Sequence, residues 1–264
     1  MFLFTIDILK LAGRNGYSNT RSTRYFMSPT ASFAADAILF DMDGTLVDST
    51  AGVIGAWQFF AQSYPDLDVH DILSSSHGVR TVDNLKKYCG ILDPEDLQKE
   101  AKRFELAIVE TSGQNGSPGI VQLPGAAEAL AELSHVRYLP NPRWAVCTSA
   151  TRAYATSALQ KTGIPIPDVF ITAEDVTLGK PNPEPYLLGA KKCGLKPENC
   201  IVFEDAPSGV RSARAAGCTT VALLTTHHRE QLELSTPDYI IKDMSRAKLE
   251  LTDRGVNVTL SFEE

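Results

Sequence analysis

The chain has 264 residues and a net charge of −7, and 43% of its residues are apolar. This length and apolar content suit an α/β core that carries an inserted module. The negative charge argues against non-specific binding to nucleic acid or anionic membranes, because both depend on concentrated positive charge.

Residues 1–35 are predicted to be a leader that is either disordered or a targeting segment. The leader is basic, rich in Ser and Thr, and contains a single acid, Asp7. This composition is typical of a weak transit segment, but also of extra sequence upstream of a start at Met27. The five cysteines are scattered and odd in number, which indicates reduced thiols. We predict a cytoplasmic protein, with a mitochondrial location as the alternative.

From Ala37 onward, short apolar runs alternate with amphipathic stretches, a rhythm typical of a parallel sheet covered by helices on both faces. The predicted strands are residues 37–41, 144–148, 169–172, 201–204, 220–224 and 239–241. About a hundred residues separate the first two strands, far more than one crossover helix needs. A module is therefore predicted to be inserted there.

Residues 50–117 are predicted to form this inserted module, a helical cap, with helices at 51–63, 81–88 and 94–110. A Gly-, Ser- and Asn-rich return hinge follows at 112–118. The core would then comprise residues 36–49 and 118–264, with a last strand at 256–262. The predicted fold class is α/β, a Rossmann-like parallel sheet core with a helical cap between its first and second strands.

The first predicted strand ends in two carboxylates, Asp41 and Asp43, followed by Gly44. Residues two apart on an extended chain share a face, so both acids can address the space beyond the strand. Two neighbouring carboxylates repel unless a cation or a shared proton lies between them, and a magnesium ion bound by oxygen ligands would satisfy both. An Asp-Gly turn and a calcium loop are the alternatives, but Gly44 comes too early for a calcium loop.

The segment from Asp41 to Thr45 resembles the first motif of the haloacid dehalogenase superfamily. Residues 144–149, 179–185 and 202–209 are similar to its second, third and fourth motifs, in family order and each just beyond a predicted strand. The resemblance implies a phosphatase in which Asp41 attacks phosphorus and Asp43 serves as general acid and base. The uncatalysed reaction is very slow, so a nucleophile and charge stabilisation are both needed.

Further roles follow from the same resemblance. Thr148 and the backbone amides around Ser149 would hold phosphoryl oxygens, and Lys180 would add positive charge. The expected cofactor is Mg²⁺, held by carboxylate and main-chain oxygens. Its expected ligands are Asp41, Asp205, the main-chain carbonyl of Asp43, and Glu204 either directly or through a water.

The cap segment 76–81 resembles the corresponding segment of the fungal glycerol phosphate phosphatases and 2-deoxyglucose-6-phosphate phosphatases. This resemblance implies a small polyol or sugar phosphate as substrate. Arg80 offers a forked donor for substrate oxygens, and His77 can donate or accept a hydrogen bond. Both are predicted to bind substrate, with a helix-entry charge and a capping histidine as the alternatives.

Two other functions remain open from the sequence. A sugar phosphomutase similar to β-phosphoglucomutase shares the fold and both aspartates, and differs only in the fate of the aspartyl phosphate. A catalytically silent regulatory or metabolite-binding protein is the alternative of another class. A 2-haloacid dehalogenase is disfavoured because that branch lacks the second carboxylate, here Asp43. The predicted partner is a small phosphorylated metabolite, with no nucleic acid or membrane, and the protein is expected to be a monomer.

Overall fold

The computed structural model describes residues 30–114, 116–134 and 142–262. Its strands are β1 (Thr30–Ala35), β2 (Ala37–Phe40), β3 (Val47–Asp48), β4 (Val121–Gln122), β5 (Trp144–Cys147), β6 (Val169–Ile171), β7 (Cys200–Glu204), β8 (Thr219–Leu223), β9 (Tyr239–Ile241), β10 (Ala247–Thr252) and β11 (Gly255–Ser261). Its helices are α1 (Thr50–Ala61), α2 (Val69–Ser75), α3 (Thr81–Cys89), α4 (Pro94–Ser112), α5 (Ala126–Ser134), α6 (Arg152–Thr162), α7 (Glu184–Lys192), α8 (Pro207–Ala216) and α9 (Arg229–Glu233).

The centre of the core is a six-stranded sheet in the order β6-β5-β2-β7-β8-β9, and each of its pairings is parallel. Every residue of β2 is buried, with Ile38 and Phe40 in one apolar cluster and Ala37 and Leu39 in another. Burial on both faces explains the near-continuous apolar runs. The six predicted strands are therefore confirmed, each end lying within one residue of its predicted place.

The predicted cap is present as four helices, α1 to α4, between β3 and β4. An aromatic cluster holds it together: the Trp57 and Phe104 rings lie 4.6 Å apart, and the Phe60 and Phe104 rings 5.1 Å apart. The short helix α2 was not predicted, because seven residues give too little periodicity. The chain enters and leaves the cap side by side, since β3 pairs antiparallel with β4.

A second sheet corrects the prediction for the start of the chain. β1, β11 and β10 form an antiparallel sheet, and the Phe33 ring of β1 stacks on Tyr239 at 4.9 Å. The predicted leader, residues 1–35, is therefore wrong for residues 30–35, whose backbone pairs with a strand from the other end of the chain. Residues 1–29 lie outside the described residues. In the described ranges, no helix is long and apolar enough to cross a bilayer.

Candidate active site

The sheet topology brings the predicted site residues together. The parallel strands β5, β2 and β7 lie side by side in the sheet. The residues that directly follow their carboxyl ends are Thr148, Asp41 and Asp205. Ligand sites of open α/β sheets lie at this edge. Lys180 reaches the same place from the loop that follows β6, across 139 residues of chain from Asp41.

Lys180 is the buried cation of this cluster. Its Nζ lies 2.5 Å from Oδ1 of Asp41 and 2.8 Å from Oε1 of Glu204, and the Tyr186 hydroxyl donates to the same Glu204 oxygen at 3.1 Å. Burial lowers the pKa of Lys180, but the two carboxylates outweigh burial and raise it. Burial raises the pKa of Asp41 to about 7, although Lys180 opposes this shift. One ammonium group therefore only partly offsets the crowded acids.

Three carboxylates form a group that fits a metal ion. Asp41, Glu204 and Asp205 each offer an oxygen, and these oxygens lie within 4.8 Å of one another. Oδ1 of Asp205 is buried and has no hydrogen-bond partner among the residues that the structure describes, while its Oδ2 accepts from Thr226. Burial, together with the charges of Glu204 and Asp41, raises the pKa of Asp205 well above its usual range. An unpaired buried oxygen among hard oxygen donors suits a cation such as Mg²⁺.

Gly44 is required by the packing of this group. Its φ is +85°, and a Cβ at this position would lie 2.3 Å from Oδ2 of Asp205. Any other residue would strain the backbone and displace the carboxylate of Asp205. The Asp-Gly signal in the sequence thus marks close approach between the loops that follow β2 and β7.

Asp43 is held by two hydroxyl groups that the sequence did not identify. Its Oδ1 accepts from Oγ of Ser49 at 2.6 Å and from the hydroxyl of Tyr154 at 2.9 Å. Burial raises the pKa of Asp43, and these hydrogen bonds oppose the shift. Tyr154 lies in the first turn of α6 and is buried, so its hydroxyl needs a partner. That need is the only sequence signal that points to it.

The site opens into a cavity of about 90 Å³ between the core and the cap. Thr148 and Ser149 line it on the core side, and His77 lines it from the cap segment. Oγ1 of Thr148 accepts from the Ala150 amide at 3.1 Å, which leaves its hydroxyl proton available. Oγ of Ser149 donates to the Gly78 carbonyl at 2.7 Å, so it joins core and cap.

The two predicted cap residues have different surroundings. The His77 ring packs edge-on against His227 at 5.5 Å, and burial, with the charge of His227, lowers its pKa to about 4. Arg80 does not line the cavity. Its Nε donates to Asp83 at 2.7 Å and its guanidinium to the Val176 carbonyl at 3.2 Å. The structure thus brings His77 to the site and holds Arg80 beside it, engaged elsewhere.

Known proteins resemble the chain over most of its length. A family model of haloacid dehalogenase-like hydrolases matches residues 35–217. Hexitol phosphatase A of Escherichia coli is 41% identical, over 70% of this chain and 81% of that protein. Glycerol-1-phosphate phosphohydrolase 2 of Saccharomyces cerevisiae is 34% identical, over 80% of this chain and 84% of that protein. 2-Deoxyglucose-6-phosphate phosphatase 1 of the same yeast is 30% identical, over 83% and 92%.

Solved structures show the same fold. A hydrolase from Pseudomonas syringae superposes with a TM-score of 0.68 at 27% identity, over 80% of this chain and 94% of that one. A β-phosphoglucomutase from Clostridium difficile superposes with a TM-score of 0.67 at 22% identity, over 81% and 93%. The sheet order, the inserted cap and the extent of the family match lead to one conclusion: the chain belongs to the haloacid dehalogenase-like hydrolases.

Proposed function

We propose that the chain is a magnesium-dependent phosphatase that hydrolyses small polyol or sugar phosphates through an aspartyl phosphate on Asp41. The observation that carries the proposal is the buried contact of Asp41 with Lys180, at the floor of a cavity that Asp43 also lines. A nucleophile, a compensating cation and a second acid are thereby assembled around one small space. The names of the phosphatase relatives support the substrate class.

The proposed reaction has two halves. In the first, an oxygen of Asp41 bonds to phosphorus while the bond from phosphorus to the substrate oxygen breaks, and Asp43 gives that oxygen a proton. In the second, Asp43 takes a proton from water, which attacks phosphorus and releases Asp41 with inorganic phosphate. The raised pKa of Asp43 suits a group that must hold a proton in one half and release it in the other.

The remaining residues hold charge and position the phosphoryl group. The hydroxyl of Thr148 and the backbone amide of Ser149 can donate to phosphoryl oxygens. Mg²⁺, when bound, supplies positive charge to the phosphoryl oxygens. Asp41, Asp205 and the main-chain carbonyl of Asp43 would hold it. Oε1 of Glu204 already accepts from Lys180 and Tyr186 and its Oε2 from the Ala206 amide, which favours an indirect role for Glu204.

The small cavity supports a small substrate. A cavity of about 90 Å³ between the core and the cap favours a small metabolite over a macromolecule. The cap covers the site, as exclusion of bulk water during phosphoryl transfer requires. A small cavity under a helical cap disfavours phosphoproteins as substrates.

A panel of phosphorylated metabolites tests this function. We expect free phosphate from glycerol phosphate, hexitol phosphates or 2-deoxyglucose 6-phosphate in the presence of Mg²⁺, and none after chelation. Conversion of a sugar phosphate to its isomer without phosphate release would instead identify a mutase. If no compound of the panel is turned over, the regulatory alternative is favoured. Phosphate release that persists after chelation would contradict the role of the metal.

The assignment of Asp205 as a metal ligand predicts that one substitution raises the Tm of the metal-free protein and abolishes the further rise in Tm with Mg²⁺. Asp205→Asn should raise the Tm of the metal-free protein, by on the order of 2–4 °C for each kcal/mol of repulsion relieved, because it removes one of three crowded carboxylates. The same variant should lose the rise in Tm that Mg²⁺ gives the unaltered protein. Thermal unfolding with and without Mg²⁺ measures both.

Asp168→Asn is the matched control, because Asp168 is exposed on the core and away from the cavity. Asp168→Asn should change neither the Tm of the metal-free protein nor the rise in Tm that Mg²⁺ gives. The assignment of Asp205 would be wrong if Asp205→Asn lowered the metal-free Tm and kept the full response to Mg²⁺.

A further inference from the structure

The cap wall of the cavity carries a buried carboxylate that the proposed reaction does not use. Glu105 of α4 is 4% exposed and lines the cavity together with the rings of Trp57 and Phe104. Its Oε1 accepts from the Thr151 amide at 3.0 Å and from the Thr81 hydroxyl at 3.2 Å, and its Oε2 accepts from the Thr151 hydroxyl. Oε2 therefore keeps capacity for another donor.

A second acceptor lies on the same wall. Asn84 of α3 also lines the cavity and is 7% exposed. Its Nδ2 donates to the Ser76 carbonyl at 3.0 Å and lies 3.4 Å from the Val79 carbonyl, which fixes the orientation of the amide. The cap thus presents a carboxylate and an amide oxygen, and both accept from hydroxyl groups.

Glu105 lies close to Asp43, the group that protonates the leaving oxygen in the proposed reaction. Thr151 caps the start of α6, and Tyr154 in the first turn of the same helix donates to Asp43. Burial raises the pKa of Glu105, its hydrogen bonds oppose the shift, and the charge of Asp43 adds to it. A substrate group just beyond the leaving oxygen would therefore lie in the cavity that Glu105 also lines.

The described residues that line the cavity include no lysine or arginine. Lys180 is engaged by Asp41 and Glu204. Arg80 lines a neighbouring cavity, where its guanidinium is held by Asp83. A second anionic group on a substrate would therefore meet the negative charge of Glu105 with no lysine or arginine of the described cavity lining to offset it. Such an unpaired like-charge contact selects against the wrong ligand.

We infer that Glu105 and Asn84 are the specificity-determining pair of this site: they accept hydrogen bonds from hydroxyl groups of the leaving group, and the charge of Glu105 rejects substrates with a second phosphate or a carboxylate. This inference rests on the proposed function and names the substrate class within it, a singly phosphorylated and otherwise neutral polyhydroxy compound. Rejection of a second phosphate would also favour hydrolysis over mutase chemistry, because a mutase must retain a bisphosphate intermediate in the site.

Binding of two matched ligands tests the inference without turnover. Glycerol 1-phosphate and 3-phosphoglycerate share a three-carbon skeleton, but the second carries a carboxylate in place of a terminal hydroxymethyl group. Calorimetric titration with Mg²⁺ would use Asp41→Asn as the reference protein, and the same protein with Glu105→Gln or Glu110→Gln added. Glutamine at 105 can keep both contacts with Thr151, because a hydroxyl can accept as well as donate. Glu110 is an exposed glutamate on the same helix.

The reference protein should bind glycerol 1-phosphate at least about tenfold more tightly than 3-phosphoglycerate, a modest value for two like charges in a partly buried site. Glu105→Gln should reduce this ratio to roughly threefold or less, while Glu110→Gln leaves it unchanged. Glucose 1,6-bisphosphate should bind more tightly to the Glu105→Gln protein than to the reference protein, whereas Glu110→Gln should leave its affinity unchanged.

The inference would be overturned if the ratio of the affinities for glycerol 1-phosphate and 3-phosphoglycerate were the same in the Glu105→Gln and Glu110→Gln proteins. A reference protein that binds neither ligand, or prefers 3-phosphoglycerate, would overturn it as well. Phosphate release by the unaltered enzyme is measured separately. Normal release with an unchanged ratio contradicts only the role of Glu105, whereas the expected ratio without any release contradicts only the proposed function.

Discussion

Asp41→Asn is expected to lower kcat by a factor of roughly 10⁴ or more, because an amide cannot form the covalent intermediate that a carboxylate forms. The fold should be kept. Burial raises the pKa of Asp41 to about 7, so its charged form is unfavourable in the folded protein, and the Asn oxygen can still accept from Lys180. Steady-state phosphate release and thermal unfolding of the purified variant measure the two effects.

Asp66→Asn provides the control for this loss, because Asp66 is an exposed carboxylate on the cap. Its activity should equal that of the unaltered enzyme. Substantial turnover by Asp41→Asn, with the Tm preserved, would show that another group attacks phosphorus.

Lys180→Met is expected to cost about 3–5 kcal/mol of unfolding free energy in the metal-free protein, since it leaves buried carboxylates unpaired. Lys180 contacts Asp41 and Glu204 and is itself buried. With Lys180 present the pKa of Asp41 is already raised to about 7 from 3.8, and its loss would raise it further. A pKa raised by folding means that stability falls as pH rises from the unfolded value through the folded one.

The cost of Lys180→Met should therefore be small near pH 4 and grow through neutral pH, as urea unfolding across this range would show. Lys191→Met is the control, because Lys191 is exposed on α7. A pH-independent loss for Lys180→Met would indicate lost packing of the lysine stem, not unpaired charge.

The sequence predicted the central sheet because buried parallel strands leave continuous apolar runs. The two carboxylates that follow the first strand drew attention to Asp41, and the resemblance of residues 179–185 and 202–209 to family motifs added Lys180 and Asp205. Residues 30–35 escaped prediction for the opposite reason. Their partner strand, β11, lies at the other end of the chain, and a half-exposed edge strand gives a weak signal.

The contacts of Asp43 and of the cap could not be read from the sequence. Tyr154 reaches Asp43 across 111 residues, and Glu105 reaches Thr151 across 46. Neither residue stands in a motif, and each occupies a helix where its buried face is decided by packing. Arg80 was predicted to bind substrate, but its guanidinium donates to Asp83, an acid about one helical turn further along the chain.

Chemical trapping of the intermediate tests the central claim most directly. Enzyme mixed with glycerol phosphate and Mg²⁺ would be quenched within one turnover and treated with borohydride, which reduces an acyl phosphate to an alcohol. Peptide mass spectrometry should then find Asp41 converted to homoserine, and only when substrate was present. Conversion of a different carboxylate, or none during active turnover, would contradict covalent catalysis by Asp41.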